Sequence, residues 1–92
     1  MSDTVIRLRG KTTVNKINAV HSVFIQAIER KKPIRIDVEG VTEVDLSFVQ
    51  VLISMAYSCS QHKIDIAVIN AHETHPLTIY IEKMGFKNLK FL

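Results

Sequence analysis

Apolar and polar positions alternate with two different periods along the chain, and the period switches six times. Val5-Ile6-Arg7-Leu8-Arg9 reads as a short strand closed by Gly10. From Val14 the apolar spacing changes to three and four, through Ile17, Val20, Phe24, Ala27 and Ile28, so a helix is predicted to about Arg30, with Thr12 or Thr13 as its cap. Pro33 ends that segment, because the residue before a proline avoids the α region. Ile34-Arg35-Ile36-Asp37-Val38 returns to period two and predicts a second strand, with Gly40 in the loop after it. Val49, Leu52, Ile53, Ala56 and Cys59 then mark the apolar side of a helix running from about Ser47 to Gln61. Ile64 to Ile69 is the most apolar strand and is expected at the centre of the sheet. Pro76 opens a third helix carrying Leu77, Tyr80, Ile81 and Met84. Gly85 is placed as its left-handed terminator, with Phe86 folding back onto Ile81. Leu89 and Phe91 are expected to add a short edge strand.

This order, βαβαβα with a final β, predicts an α/β domain: a mainly parallel four-stranded sheet joined by crossover helices. The 92 residues are expected to form one domain, 1–92. The composition adds little beyond class. Hydrophobic residues make up 47% of the chain and no run of them approaches a membrane span, so direct membrane insertion is not expected. The start, Met1-Ser2-Asp3-Thr4, lacks the basic and apolar regions of a secretory signal, and a lone Cys59 suits a reducing compartment. Both point to the cytoplasm.

The net charge of +3 raises nucleic-acid binding only to set it aside. Arg30, Lys31 and Lys32 fall where a helix ends and complement its negative pole, while Arg7, Arg9 and Lys11 alternate along one strand face. No aromatic residues interleave with them and no helix-turn-helix or RRM pattern is present.

The chemistry-bearing residues concentrate between the second strand and the second helix, where open α/β sheets bind ligands. Asp45 and Ser47 fall at the start of that helix, beside amide groups that lack intrahelical partners. Either can be the helix cap: Ser47-Phe48-Val49-Gln50 fits the capping box, in which Ser47 bonds the Gln50 amide, and Asp45 can serve instead. A phosphate on Ser47 would add about two negative charges next to Asp45 and Glu43 and change what surface docks there. Phe48 is an aromatic anchor for a partner if exposed and a core residue if buried.

Val44-Asp45-Leu46-Ser47-Phe48-Val49-Gln50-Val51-Leu52 resembles the STAS-domain signature, in which a strand and short loop lead to Asp-Ser-Ser-Gly-Leu-Gly-x-Leu. Leu8-Arg9-Gly10 is similar to the Leu-x-Gly after an early STAS strand. Ile34 to Val38, Lys63 to Asn70 and Lys83-Met84-Gly85-Phe86 resemble later family segments in the same order. The resemblance spans about Val5 to Phe86 and points to the bacterial anti-sigma factor antagonists and related modules. It implies a non-enzymatic regulatory protein that switches partners, with Ser47 as phosphoacceptor and an anti-sigma factor serine kinase or another signalling protein as partner. The expected contact residues are Asp45, Ser47, Phe48 and Gln50. Leu46, Phe48 and Gln50 depart from the signature, replacing a hydroxyl residue and two glycines. Those departures shift weight toward STAS modules that assemble constitutively, as adaptors in chemotaxis-type signalling or subunits of a lipid-transport ATPase. A homodimer is a further expectation.

Other chemistries find less support. His72-Glu73-Thr74-His75 has the wrong spacing for a zinc-protease helix, and its histidines are expected to be exposed, so no metal is expected. Cys59 and His62 share a helix face, but Cys59 continues the buried stripe rather than forming a nucleophilic pair. Asp37 and Glu39 alternate outward on a strand and are read as solvated. No glycine-rich phosphate loop or nucleophile elbow is present, so neither enzyme activity nor a cofactor is expected. A small-ligand domain using the same strand-end loop is the third function class.

Overall fold

The structure is a computed structural model and describes residues 3–85. It contains β1 (Thr4–Thr12), a 3-10 turn (Val14–Lys16), α1 (Ile17–Glu29), β2 (Ile34–Val44), α2 (Leu46–Gln61), β3 (Ile66–Ile69) and α3 (Pro76–Met84). The three strands form one parallel sheet in the order β1-β2-β3. The α/β class is as expected, with three strands among the described residues rather than four. The expected strand at Leu89 and Phe91, and the Phe86 contact, lie outside them.

Among the described residues β2, not β3, is the central strand. The apolar character of Ile64 to Ile69 suggested burial on both faces. In the fold β3 spans only Ile66–Ile69, and of these only Val68 is buried. β2 also runs well past Gly40, where a loop was expected. The reason lies in its register against β1. Thr4 to Arg7 pair with Ile34 to Asp37, then Arg9 pairs with Gly40 and Lys11 with Glu43, so two irregularities each add a residue to β2. Each extra residue breaks the alternation of period two, and the buried positions become Ile34, Ile36, Val38 and then Val41. β1 likewise continues through Gly10 to Thr12. Gly10 takes φ +69 within the strand, a conformation that glycine adopts without steric cost. Gly40 has a different role: a Cβ there would lie 3.2 Å from Leu8 O and from Arg9 Cγ. It permits the close approach of the two strands at the first irregularity.

Stepping β1 to β2 to β3 in one direction with crossovers of one hand places both crossover helices on the same face of the sheet. α1 and α2 accordingly pack against each other. The core is a single cluster, built from Ile6, Ile34, Ile36, Val38 and Val68 of the sheet and from Val20, Phe24, Leu52, Met55, Leu77 and Ile81 of the helices. The other sheet face carries Val5, Arg7 and Arg9, which are exposed, with Arg35, Asp37, Ala67 and Ile69 half-buried. Parallel sheets are usually covered on both faces; the polar alternation of Arg35 and Asp37 in β2 is what marks this face as wet.

The helix caps depart from expectation at α1. Neither Thr12 nor Thr13 caps it. The 3-10 turn intervenes, Lys16 occupies the N-cap position without a side-chain bond, and Thr12 is buried with its Oγ1 donating to Glu43 O at 3.1 Å. That turn also displaces Val14 from the helical stripe, leaving it 63% exposed. α3 begins at Pro76 as expected, and Gly85 ends it at φ +73. α1 and α2 end instead on lysines in the left-handed region, Lys31 at φ 56 and Lys63 at φ 57.

Candidate functional site

The turn from β2 into α2 holds the densest polar arrangement, and its centre is the Asp45 carboxylate. Asp45 is extended at φ −138 and ψ −177, the backbone state of an N-cap residue. Its Oδ1 accepts from the Phe48 amide at 3.2 Å and from Ser47 Oγ at 2.6 Å. Its Oδ2 accepts from the Val14 amide at 2.9 Å, across 31 residues of sequence. One side chain therefore caps α2, holds the Ser47 hydroxyl and pins the turn that follows β1. Partial desolvation pushes this carboxyl up, but the bonds from Ser47, then from the Val14, Phe48 and Ser47 amides, outweigh it. The net result lies below the ordinary aspartate range.

Of the two candidate caps, then, Asp45 is the one used. The capping box centred on Ser47 does not form: Ser47 sits inside the first turn, and its hydroxyl donates to Asp45 rather than accepting from Gln50. Ser47 is half-buried and Gln50 is exposed. Phe48 has no exposed surface and belongs to the core with Val49 and Leu52, so it is withdrawn from the expected contact residues. A side chain fully inside the core cannot anchor a partner while the helix stays in place. Exposed apolar side chains do flank the site: Leu46 beside Ser47 is 38% exposed, and the exposed Val14 is held there by its bond to Asp45.

A second polar cluster lies on the wet sheet face. Asp37 Oδ1 accepts from Asn70 Nδ2 at 2.9 Å and from the Glu39 amide at 3.0 Å, and Oδ2 lies 3.8 Å from Arg7 Nε. These contacts, the Asn70 bond foremost, hold the Asp37 carboxyl below its ordinary range. Asp37 is thus a tethering residue between β2 and the end of β3 rather than simply solvated, while Glu39 is exposed as expected.

His75 was expected in an exposed loop and is instead 8% exposed. Its Nε2–H donates to Val38 O at 2.6 Å, and its Nδ1 accepts from the Leu77 amide at 3.0 Å, capping α3. Both ring nitrogens serve the fold. The local signal was present in the residue before Pro76, an N-cap position, but the Val38 bond depends on packing. His62 is exposed, with Nδ1–H donating to Ser58 O at 2.9 Å, whereas Cys59 is fully buried and burial pushes its thiol up. Among the described residues no group of three or more His, Cys, Asp and Glu side chains is placed to hold a metal ion. None of their helices is long and apolar enough to cross a membrane.

The parallel sheet, the helices packed on one face and an Asp-x-Ser turn opening the central helix agree with the family model described as Mlab, STAS domain, which matches residues 1–89. The chain belongs to the STAS domain family. No curated protein matches it. STAS domains are generally non-enzymatic and mediate protein–protein interactions, so the role here is of the STAS regulatory or binding type. In this STAS domain the candidates for such a role are the half-buried Ser47 and the exposed Gln50, with Asp45 as the group that organises the turn.

Proposed function

We propose that this STAS domain is a partner-switching regulator whose docking surface is the N-terminal end of α2, with Ser47 as its phosphoacceptor. The observation that carries this is the 2.6 Å bond between Ser47 Oγ and Asp45 Oδ1. The hydroxyl lies in a half-exposed turn at the positive end of a 16-residue helix, held by the carboxylate that also pins the turn after β1. A phosphoryl group on Ser47 Oγ removes the proton donated to Asp45 and sets about two negative charges against that carboxylate. The two anions repel, the Asp45 contacts to Val14 and Phe48 weaken, and the exposed Val14 and Leu46 shift. A partner docked on those side chains is released. The partner class is a signalling protein, an anti-sigma factor serine kinase foremost, and the setting is cytoplasmic.

The test is co-purification of partners from the native host with wild-type, Ser47→Ala and Ser47→Asp proteins, alongside intact-mass phosphosite mapping. Wild type and Ser47→Ala should retain a common partner that Ser47→Asp loses. Equal retention by all three proteins would refute the switch.

One observation favours a second reading: the Ser47 hydroxyl already has a structural task, and the next residue is the fully buried Phe48 rather than glycine. On that reading the domain is a constitutive assembly module, in a chemotaxis-type signalling complex or a lipid-transport ATPase. Ser47 would then carry no phosphate under any growth condition.

A further inference from the structure

We infer that the outer edge of β1 is a second docking site, which takes an extended acidic segment of a partner protein as an added strand. In the sheet order β1-β2-β3, β1 is paired on one side only among the described residues. The Thr4 amide donates to Pro33 O at 2.8 Å, toward β2. Peptide groups alternate sides along a parallel strand, so those of Val5 and Arg7 point away from the sheet. Alongside that edge, between β1 and α1, runs a groove of about 260 Å³ lined by Thr4, Ile6, Val23, Gln26, Ala27 and Arg30. Beneath the groove surface, Thr4 Oγ1 is buried with no hydrogen-bond partner among the described residues. Val5 and Val23 are 44% and 43% exposed.

The side chains of the edge define the occupant. On the wet face Arg7, Arg9 and Lys11 are all exposed, and at the helix end of the groove Arg30 is exposed as well. Arg7 meets one carboxylate, that of Asp37, but its side chain stays 69% exposed. A second copy of this chain, pairing β1 to β1, would set Arg7, Arg9 and Lys11 against the same cations, and like charges opposite one another destabilise a strand pair. A strand alternating acidic and apolar residues fits instead. Its acidic side chains meet Arg7, Arg9 and Lys11, and its apolar ones meet the exposed Val23, as in recognition by strand addition. The groove end of this edge lies far along the sheet from Ser47, since Thr4 aligns with Ile34 at the start of β2, whereas Lys11 aligns with Glu43, near the end that Ser47 follows. The inference does not rest on the phosphorylation switch proposed above.

The experiment is an NMR titration of the 15N-labelled chain at low salt with a capped peptide of alternating glutamate and valine. The expected result is amide shift changes at Val5, Arg7, Arg9 and Val23. Affinity should fall at least tenfold in Arg7→Gln/Arg9→Gln, stay unchanged in the remote Lys63→Gln, and vanish for a peptide N-methylated at alternate residues. Four results would each overturn the inference. They are no shifts at millimolar peptide, and equal shifts with the N-methylated peptide, which would mean charge adsorption alone. The others are concentration-dependent edge shifts without peptide, indicating a second copy, and Val5 and Arg7 amides protected from exchange in the free monomer, indicating that the chain covers its own edge.

Discussion

Asp45→Ala should be among the most damaging surface-accessible substitutions in this domain, because one carboxylate accepts from the Phe48 amide, the Ser47 hydroxyl and the Val14 amide at once. Losing the α2 cap, the bond from the Phe48 amide, costs about 1 kcal/mol. The Ser47 hydroxyl is half-buried, and its charge-assisted bond adds roughly 1 kcal/mol net. The Val14 amide is exposed enough for water to replace the carboxylate, so its loss adds about 0.5 kcal/mol. The sum, about 2–3 kcal/mol, is a large share of the roughly 5–14 kcal/mol expected for a domain of this size. For a domain under about 100 residues each kcal/mol moves Tm by roughly 4–8 °C, so a fall of about 10–20 °C is expected. The assay is thermal unfolding followed by circular dichroism on Asp45→Ala, Asp45→Asn, Ser47→Ala and the double variant Asp45→Ala/Ser47→Ala. Asparagine keeps an acceptor for the cap and loses the charge, so Asp45→Asn should fall between wild type and Asp45→Ala. Ser47→Ala alone should cost about 1 kcal/mol and almost nothing once Asp45 is alanine, a coupling of about 1 kcal/mol. The reasoning is refuted if Asp45→Ala lowers Tm by less than about 4 °C, or if the Ser47→Ala cost is the same in both backgrounds.

Further outcomes follow from the same geometry. The folded-state pKa of Asp45 lies below its unfolded value, so its contribution is fully present above the unfolded aspartate pKa and is lost as pH falls through the folded value. Urea titrations should therefore show the gap between wild type and Asp45→Ala constant from neutral pH to about 5, then closing below about 4. His75→Ala removes the α3 cap and leaves Val38 O buried without its donor, and is expected to cost about 2–3 kcal/mol by urea denaturation. His75→Asn keeps a cap and should cost about 1 kcal/mol less. Lys63 ends α2 in the left-handed region, with Ile64 N–H donating to Cys59 O at 2.8 Å in the pattern of a Schellman turn. Lys63→Gly should raise stability by about 0.5–1 kcal/mol in the same assay, since glycine meets no steric penalty there. Cys59 is fully buried with its thiol pKa raised, so labelling by an aromatic disulfide reagent should proceed only at the rate of opening and speed up with urea. Rapid labelling of the native protein would show that α2 does not pack as described.

Interactions spanning a few residues were legible in the chain, and those spanning the fold were not. Val20, Phe24 and Ala27 follow from helical spacing alone, as do Leu52, Cys59 and Leu77, because one face of a helix is defined by residues three and four apart. Pro33, Pro76 and Gly85 mark boundaries for local backbone reasons, and the placement of Asp45 and Ser47 at a helix start follows from the same short-range logic. The extent of β2 was hidden because its two irregularities depend on β1, and a strand's alternation survives only where its neighbour keeps register. Tertiary structure alone chose between Asp45 and Ser47 as cap, by bringing the Val14 amide to the free carboxylate oxygen, and it buried His75 by setting Val38 O within reach of its ring. It also placed β2 rather than β3 at the centre and left the edge of β1 unpaired among the described residues. Periodicity and capping are encoded within about one helical turn. Strand order and long-range hydrogen bonds exist only once distant segments have packed, so no window of sequence contains them.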